Sequence, residues 1–265
     1  MEFTTTAIEN TDEDKEKTNQ RTLREKRWHN QNFNDEERNS VSKFYSINAE
    51  PRFRIFEETL RKELDPQKTS LLDYGCGHNV YVNDAAHIIK KGVGIDISET
   101  RIELAKSNAE KNNLKNIDFF VMDAAKTTFK NEEFDVIRGS GILHHLDIKL
   151  SLNEIKRILK NSGKAFFVEP LDTNPLINLF RKLTPKMRTA DEQPLRKKEI
   201  KMITYIFPNT EIYYSSFLTL LAVPFRNSKH FEKILSVLSI MDNIVLHNKS
   251  PFRWLAWRCL IIMKK

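Results

Sequence analysis

Hydrophobic positions along the 265-residue chain change rhythm three times, and each change marks a boundary. Residues 1–20 are polar with almost no core-forming side chains, which predicts a disordered tail. In residues 21–64 Leu23, Trp28, Phe33, Phe44, Tyr45, Ile47, Phe53, Ile55, Phe56 and Leu60 recur at irregular helical spacing, the pattern of an N-terminal helical cap. After Pro66 short apolar runs alternate with longer amphipathic stretches, as in parallel strands joined by covering helices. Strands are expected at Thr69 to Asp73, Gly92 to Asp96, Ile117 to Val121, Phe134 to Arg138 and Gly163 to Val168. Helices are expected at Asn83 to Lys90, after a Ser98 cap, and at Leu150 to Leu159, so residues 65–169 form one doubly wound core.

Beyond Pro170 the alternation stops. Five of the nine prolines fall within residues 170–208 and interrupt regular ladders, so this stretch is expected as a lid or substrate-binding insertion of loops and short helices. Residues 209–265 then supply a strand from Thr210 to Ser216, a helix from Ser228 to Leu246 and a last strand from Trp254 to Met263. The whole is an α/β chain with a seven-stranded, mostly parallel sheet, helices before it and an insertion after the fifth strand forming a cap.

Composition narrows the class without naming a function. Forty per cent apolar and 30% charged residues describe an ordinary globular protein. The formal charge of +7 suits an anionic partner, but acids and bases are interspersed, and a Lys-rich solvated surface is the simpler account. Cys76 and Cys259 stand far apart and outside any Cys/His ligand spacing, so no disulfide framework and no metal site is expected. The N-terminal residues lack an apolar stretch, and every apolar run is shorter than the ~18 residues a membrane span needs. A cytoplasmic protein is expected, with peripheral membrane contact left open and the oligomeric state undetermined.

The informative segment is Leu71-Leu72-Asp73-Tyr74-Gly75-Cys76-Gly77-His78-Asn79, between a strand and a helix. Glycines in such a turn let backbone N–H groups approach a ligand closely. Asp73 lies at the mouth of the turn, where a carboxylate repels a pyrophosphate and attracts a cationic cofactor such as a sulfonium. Asp96 closes the second strand 19 positions after Gly77, where a carboxylate can accept from both hydroxyls of a ribose. By itself that position serves NAD equally well.

Across residues 68–170 these motifs resemble the class I S-adenosylmethionine-dependent methyltransferases, in particular the small-molecule group with a Leu-Asp-x-Gly-Cys-Gly turn. The resemblance implies a Rossmann-like fold and S-adenosylmethionine as cofactor. It assigns Asp73, Gly75 and Gly77 to the methionine end, Asp96 to the ribose, Ile97 to one face of the adenine, and Asp123 and Ala124 to the adenine edge. Asn79 departs from the family, which has a third glycine there; Asn tolerates positive φ better than most residues. The loop after the fourth strand, ending in Leu143-His144-His145-Leu146, should line the reaction centre.

Methyl transfer from a sulfonium is chiefly a matter of alignment, and a base helps when the acceptor is a hydroxyl. His144, His145 and His29 are the candidate catalytic residues, His144 first, and the helix bearing Trp28 and His29 is a second part of the lid. Arg181, Lys186 and Arg188 are candidates for an anionic acceptor. Gly139-Ser140-Gly141 stands where nucleic-acid amino-methyltransferases carry a proline-containing segment, and neither cysteine follows a proline, so no nucleic-acid partner is expected. The expectation is a methyltransferase for a small-molecule, sugar or lipid-like acceptor, with O-methylation preferred. An NAD-dependent oxidoreductase and a cofactor-binding module without catalytic activity remain as alternatives.

Overall fold

The computed structural model describes residues 12–31, 51–77, 80–185, 188–189, 191–225 and 227–265. Asn79, Lys186 and the apolar positions from Phe33 to Ile47 lie outside them.

The central sheet has seven strands in the order β3-β2-β1-β4-β5-β7-β6. They are β1 (Ser70–Tyr74), β2 (Lys91–Asp96), β3 (Ile117–Val121), β4 (Phe134–Ser140), β5 (Leu159–Pro170), β6 (Asn209–Ser215) and β7 (Arg258–Lys264). β1 to β5 pair in parallel, whereas β7 inserts antiparallel between β5 and β6. The strand order reverses between β1 and β4, so the connections leaving these two strands diverge and open a crevice at their C-terminal ends.

Strand alternation explains why both faces of the sheet are covered. Leu72, Tyr74, Ile95, Ile137, Phe167, Ile261 and Met263 join one core, and Leu71, Val136, Phe166, Val168, Leu260 and Ile262 join the other. In the described residues the helices are α1 (Asp12–Gln31), α2 (Pro51–Arg61), α3 (Tyr81–Ala85), α4 (Glu99–Lys111), α5 (Ile148–Ile158), α6 (Pro175–Leu183), α7 (Lys197–Ile206) and α8 (Phe231–Val245). Leu152, Ile155 and Ile158 of α5, with Ile200 and Ile203 of α7, seal the first core. Phe56 and Leu60 of α2, with Ile102, Ala105 and Ala109 of α4, seal the second. Each of the larger side chains contributes about 1.5–3 kcal/mol by leaving water.

Several boundaries differ from the sequence expectation. Helix α1 reaches back to Asp12, into the stretch expected as a tail; Glu16, Asn19 and Gln20 on it are exposed, and Glu, Lys and Gln form solvated helices readily. The expected helix from Asn83 instead starts at Tyr81, ends at Ala85 and continues as a 3-10 turn, Ala86–Ile88. Its start is fixed from outside, because Asp73 Oδ2 accepts from the Val82 amide at 3.2 Å and satisfies a helix-end donor. Trp254 and Leu255 belong to a 3-10 turn rather than to the last strand, since Ser250 caps that turn by accepting from Phe252 N and Pro251 begins it. Of the 170–208 segment, α6 exposes Leu176, Leu179 and Leu183, while α7 packs into the core through Ile200 and Ile203, a three-residue spacing that proline density concealed.

Candidate functional site

The sequence-predicted cofactor residues meet at the crevice between β1 and β4. Gly75 and Gly77 have φ of +73° and +59°, a backbone region that favours glycine. A Cβ on Gly75 would lie 2.6 Å from Ile142, so glycine here also admits the loop after β4. Asp96 Oδ2 accepts from Gly77 N and Oδ1 from Ser98 N, both at 2.9 Å, so the end of β2 is tied directly to the glycine turn. Each oxygen retains a further lone pair for a ligand hydroxyl. Ile97 is half-buried beside it. Across β3, Asp123 Oδ1 accepts from Ala125 N, leaving Oδ2 uncommitted, and the Ala124 carbonyl accepts from the Tyr74 hydroxyl. This donor and acceptor set, with two glycines where side chains would block approach, fits an adenosine-bearing ligand with a compact polar end.

Asp73 is more enclosed than its place in the turn suggests. It is 2% exposed, registers opposite Arg138 on β4, and has the Arg138 Nη1 3.9 Å from Oδ1. Burial raises its pKa, opposed first by Arg138 and then by the Val82 amide. Arg138 also lies 4.2 Å from the Tyr81 ring centroid and 3.8 Å from Glu57. The negative charge at this bend is therefore shared with a guanidinium from the neighbouring strand, a pairing that only the β1–β4 register reveals.

The loop after β4 is held by a residue that sequence reasoning did not single out. Glu169, fully buried at the end of β5, accepts from Ile142 N at 3.0 Å and Leu143 N at 2.9 Å through Oε1, and its Oε2 lies 2.7 Å from His144 Nδ1. A carboxylate only accepts, so Nδ1 carries the proton that faces Glu169, and Nε2 on the other side of the ring lies 3.8 Å from Glu192 Oε1. The available signal was an acid terminating the apolar run Phe166-Phe167-Val168, since a buried strand end keeps a charge only when it is paired.

Helix α1 closes over this loop. Arg24 pairs with both oxygens of Asp191 at 2.7 and 2.8 Å, and Arg21 donates to the Asp191 carbonyl at 3.0 Å. At its C-terminal end Asn30 accepts from Ser98 Oγ at 2.6 Å and donates to Glu99 at 3.0 Å. The helix thus bridges the segment after β2 and the histidine loop. It brings Glu25 and His29 against His145: Glu25 Oε2 is 3.3 Å from His29 Nε2 and 3.2 Å from His145 Nδ1. All three expected histidines are together, but only His144 has the Glu169 support.

Arg181 Nη1 donates to the Leu171 carbonyl and to Asn178 at 2.8 Å each, which fastens α6 to the end of β5. Arg188 donates to the Arg181 and Thr184 carbonyls at the end of that helix, and its Nε lies 3.9 Å from Glu192, the carboxylate 3.8 Å from His144 Nε2. Asp135 accepts from Ser70 N and Lys160 at 2.9 Å. Cys76 and Cys259 are buried, and burial pushes both thiols well above their ordinary pKa. Neither should react with a thiol reagent at pH 8 in the folded protein, and both should react after denaturation; stoichiometric labelling of the native chain would show the sheet to be more open than described.

A family model described as a methyltransferase domain matches residues 65–212, more than half of the chain. The chain belongs to that family, the class I S-adenosylmethionine-dependent methyltransferases. Its curated relatives include a demethylmenaquinone methyltransferase of Lactococcus lactis, 29% identical over 152 residues, which cover 54% of this chain and 60% of the relative. A ubiquinone biosynthesis O-methyltransferase of Bartonella tribocorum is 33% identical over 97 residues, 36% of this chain and 39% of the relative. The aklanonic acid methyltransferase of a Streptomyces strain is 33% identical over 105 residues, 38% and 48% respectively. The chain thus spans less than two thirds of the length of each. Among solved structures, the YcgJ protein of Bacillus subtilis superposes with a TM-score of 0.52 at 15% identity, covering 79% of this chain and 97% of the other. Geranyl diphosphate C-methyltransferase of Streptomyces coelicolor gives 0.55 at 15% identity, covering 78% and 76%. These two likenesses show the fold alone. Within the described residues no helix is long and apolar enough to cross a membrane.

Proposed function

We propose that the chain transfers the methyl group of S-adenosylmethionine to an oxygen of a small-molecule, sugar or lipid-like acceptor. The observation that carries this reading is the Asp96 carboxylate bound to Gly77 N in the turn after β1, together with the buried His144–Glu169 pair in the loop after the neighbouring strand β4. The quinone-pathway and aklanonic acid relatives support a small aromatic or lipid-like acceptor over a macromolecule.

The cofactor supplies an activated methyl group. The protein's part is to hold donor and acceptor in line, which can supply on the order of 7–11 kcal/mol of the barrier. Asp96 takes the ribose hydroxyls, Ile97 one face of the adenine, Asp123 and the Ala124 amide its edge, and the Asp73, Gly75 and Gly77 turn the methionine end. His144 Nε2 would take the acceptor's hydroxyl proton as that oxygen receives the methyl group, and Glu169 would stabilise the resulting imidazolium. His145 and His29 share Glu25 and are placed to shape the acceptor pocket rather than to act as the base. The family match decides against the oxidoreductase reading.

Asp96→Ala should weaken S-adenosylmethionine binding by ~10-fold or more, because hydrogen bonds to a charged group are worth about 1.5–3 kcal/mol each. Calorimetry on the folded variant measures it, and unchanged affinity would remove the ribose assignment. Transfer of labelled methyl from S-adenosylmethionine to hydroquinones and phenols, followed by product mass and fragmentation, tests the reaction. A carbon- or nitrogen-methylated product would overturn the oxygen assignment, and binding without turnover on any acceptor would leave the non-catalytic module as the better reading.

A further inference from the structure

We propose that Glu25, His29 and His145 form a binding site for one divalent transition-metal ion, of zinc or cobalt type, that fastens α1 over the acceptor pocket. The three residues each offer one ligand atom, and all three atoms lie within 4.8 Å of one another. Glu25 is 5% exposed and His145 8%, yet Glu25 Oε2 and His145 Nδ1 make no hydrogen bond of acceptable geometry. A charge-assisted pair would close to about 2.7–2.9 Å with the N–H aimed at the oxygen. The observed 3.2 and 3.3 Å are longer, and they match the roughly 3.4 Å edge of a tetrahedron whose centre lies about 2.0–2.1 Å from nitrogen and oxygen ligands. Groups that ligate one ion point at a common centre instead of at each other.

The surroundings are those of a supported ligand set. The second oxygen of Glu25 accepts from the Thr189 hydroxyl at 2.6 Å, which fixes the carboxylate and leaves Oε2 for the ion. Two histidines and one carboxylate form a borderline donor set that suits zinc, cobalt or iron(II) better than magnesium. Three protein ligands leave a fourth position, available to an acceptor oxygen if the loop after β4, to which His145 belongs, lines the reaction centre. This half of the proposal rests on the methyltransferase reading: an acceptor oxygen bound there would lose its proton more readily. Sequence spacing conceals the site because His145 is 116 positions from His29, although Glu25 and His29 share a helix face at i, i+4.

The test uses the full chain, freed of metal by a chelator, without cofactor or acceptor. Titration with Co²⁺ should give one equivalent bound, the visible absorption of four-coordinate cobalt, displacement by Zn²⁺, and at least tenfold slower tryptic cleavage within residues 12–31. Glu25→Gln, with its fold verified by circular dichroism, should lose the cobalt spectrum and the protection. Absence of saturable binding by the wild type would overturn the proposal, as would binding that survives Glu25→Gln. Loss with Glu192→Gln in place of Glu25→Gln would also overturn it, because it moves the ion to the neighbouring group of His144, His145 and Glu192. Should a variant fail to fold, metal-dependent protection of α1 in the wild type decides. S-adenosylmethionine titrated into the same samples reports on the cofactor reading independently.

Discussion

Glu169→Gln should fold and bind S-adenosylmethionine like the wild type, but transfer methyl groups ~10²–10⁴-fold more slowly, the contribution expected of a positioned base. The reason is tautomeric. The amide oxygen of the new side chain can still accept from Ile142 N and Leu143 N, which places its NH₂ against His144 Nδ1. That nitrogen must then become the acceptor, the ring proton moves to Nε2, and the lone pair that should take the acceptor's proton is lost. Single-turnover rates with calorimetric cofactor affinity measured on the same protein separate this from a structural defect. Equal slowing of turnover and loss of cofactor binding would mean that Glu169 merely holds the loop. Glu169→Ala should be worse in a different way, losing about 1–3 kcal/mol of stability for each buried donor left without its acceptor, among Ile142 N, Leu143 N and His144 Nδ1.

The second large effect is at the glycine turn, where two neighbouring glycines should respond unequally. Gly75→Ala forces a Cβ to 2.6 Å from Ile142 at φ +73°, so about 1–2 kcal/mol of left-handed strain adds to about 1–3 kcal/mol of overpacking. Against a total stability of ~5–15 kcal/mol this is a large fraction, and the displaced Ile142 carries the histidine loop with it. Among the described residues Gly77→Ala meets nothing closer than the Arg101 guanidinium at 3.8 Å, so the strain of φ +59° is the main cost. Denaturant midpoints should fall at least twice as far for Gly75→Ala as for Gly77→Ala. The reverse order would show that the turn is shaped differently from this description.

These contrasts also show how far the chain could be read in advance. The alternation of apolar runs between residues 66 and 170 is legible because strands such as β1 and β2 are covered on both faces, so that few polar side chains interrupt them. The glycine turn and Asp96 are legible because backbone geometry and ligand chemistry constrain residue type locally. What was not legible depends on register and long-range packing. The pairing of Asp73 with Arg138 exists because β4 lies beside β1 at one register, and Asp73 serves the α3 start as well as the crevice. The role of Glu169 depends on β5 lying beside β4, which brings its carboxylate under the amides of a loop 26 residues earlier. Likewise, the first part of α1, up to residue 20, looked like a tail because it has almost no core-forming side chains, and the helix is docked through polar groups such as Glu25, which meets Thr189 only in the folded molecule.

The central claim is that the bend between β1 and α3, closed by Asp96, is built for S-adenosylmethionine. Parallel calorimetric titrations of the full chain with S-adenosylmethionine and with NAD⁺ test it most directly. The account predicts saturable one-to-one binding of the sulfonium compound and no heat from the dinucleotide; a chain that binds NAD⁺ and leaves S-adenosylmethionine in solution would contradict it.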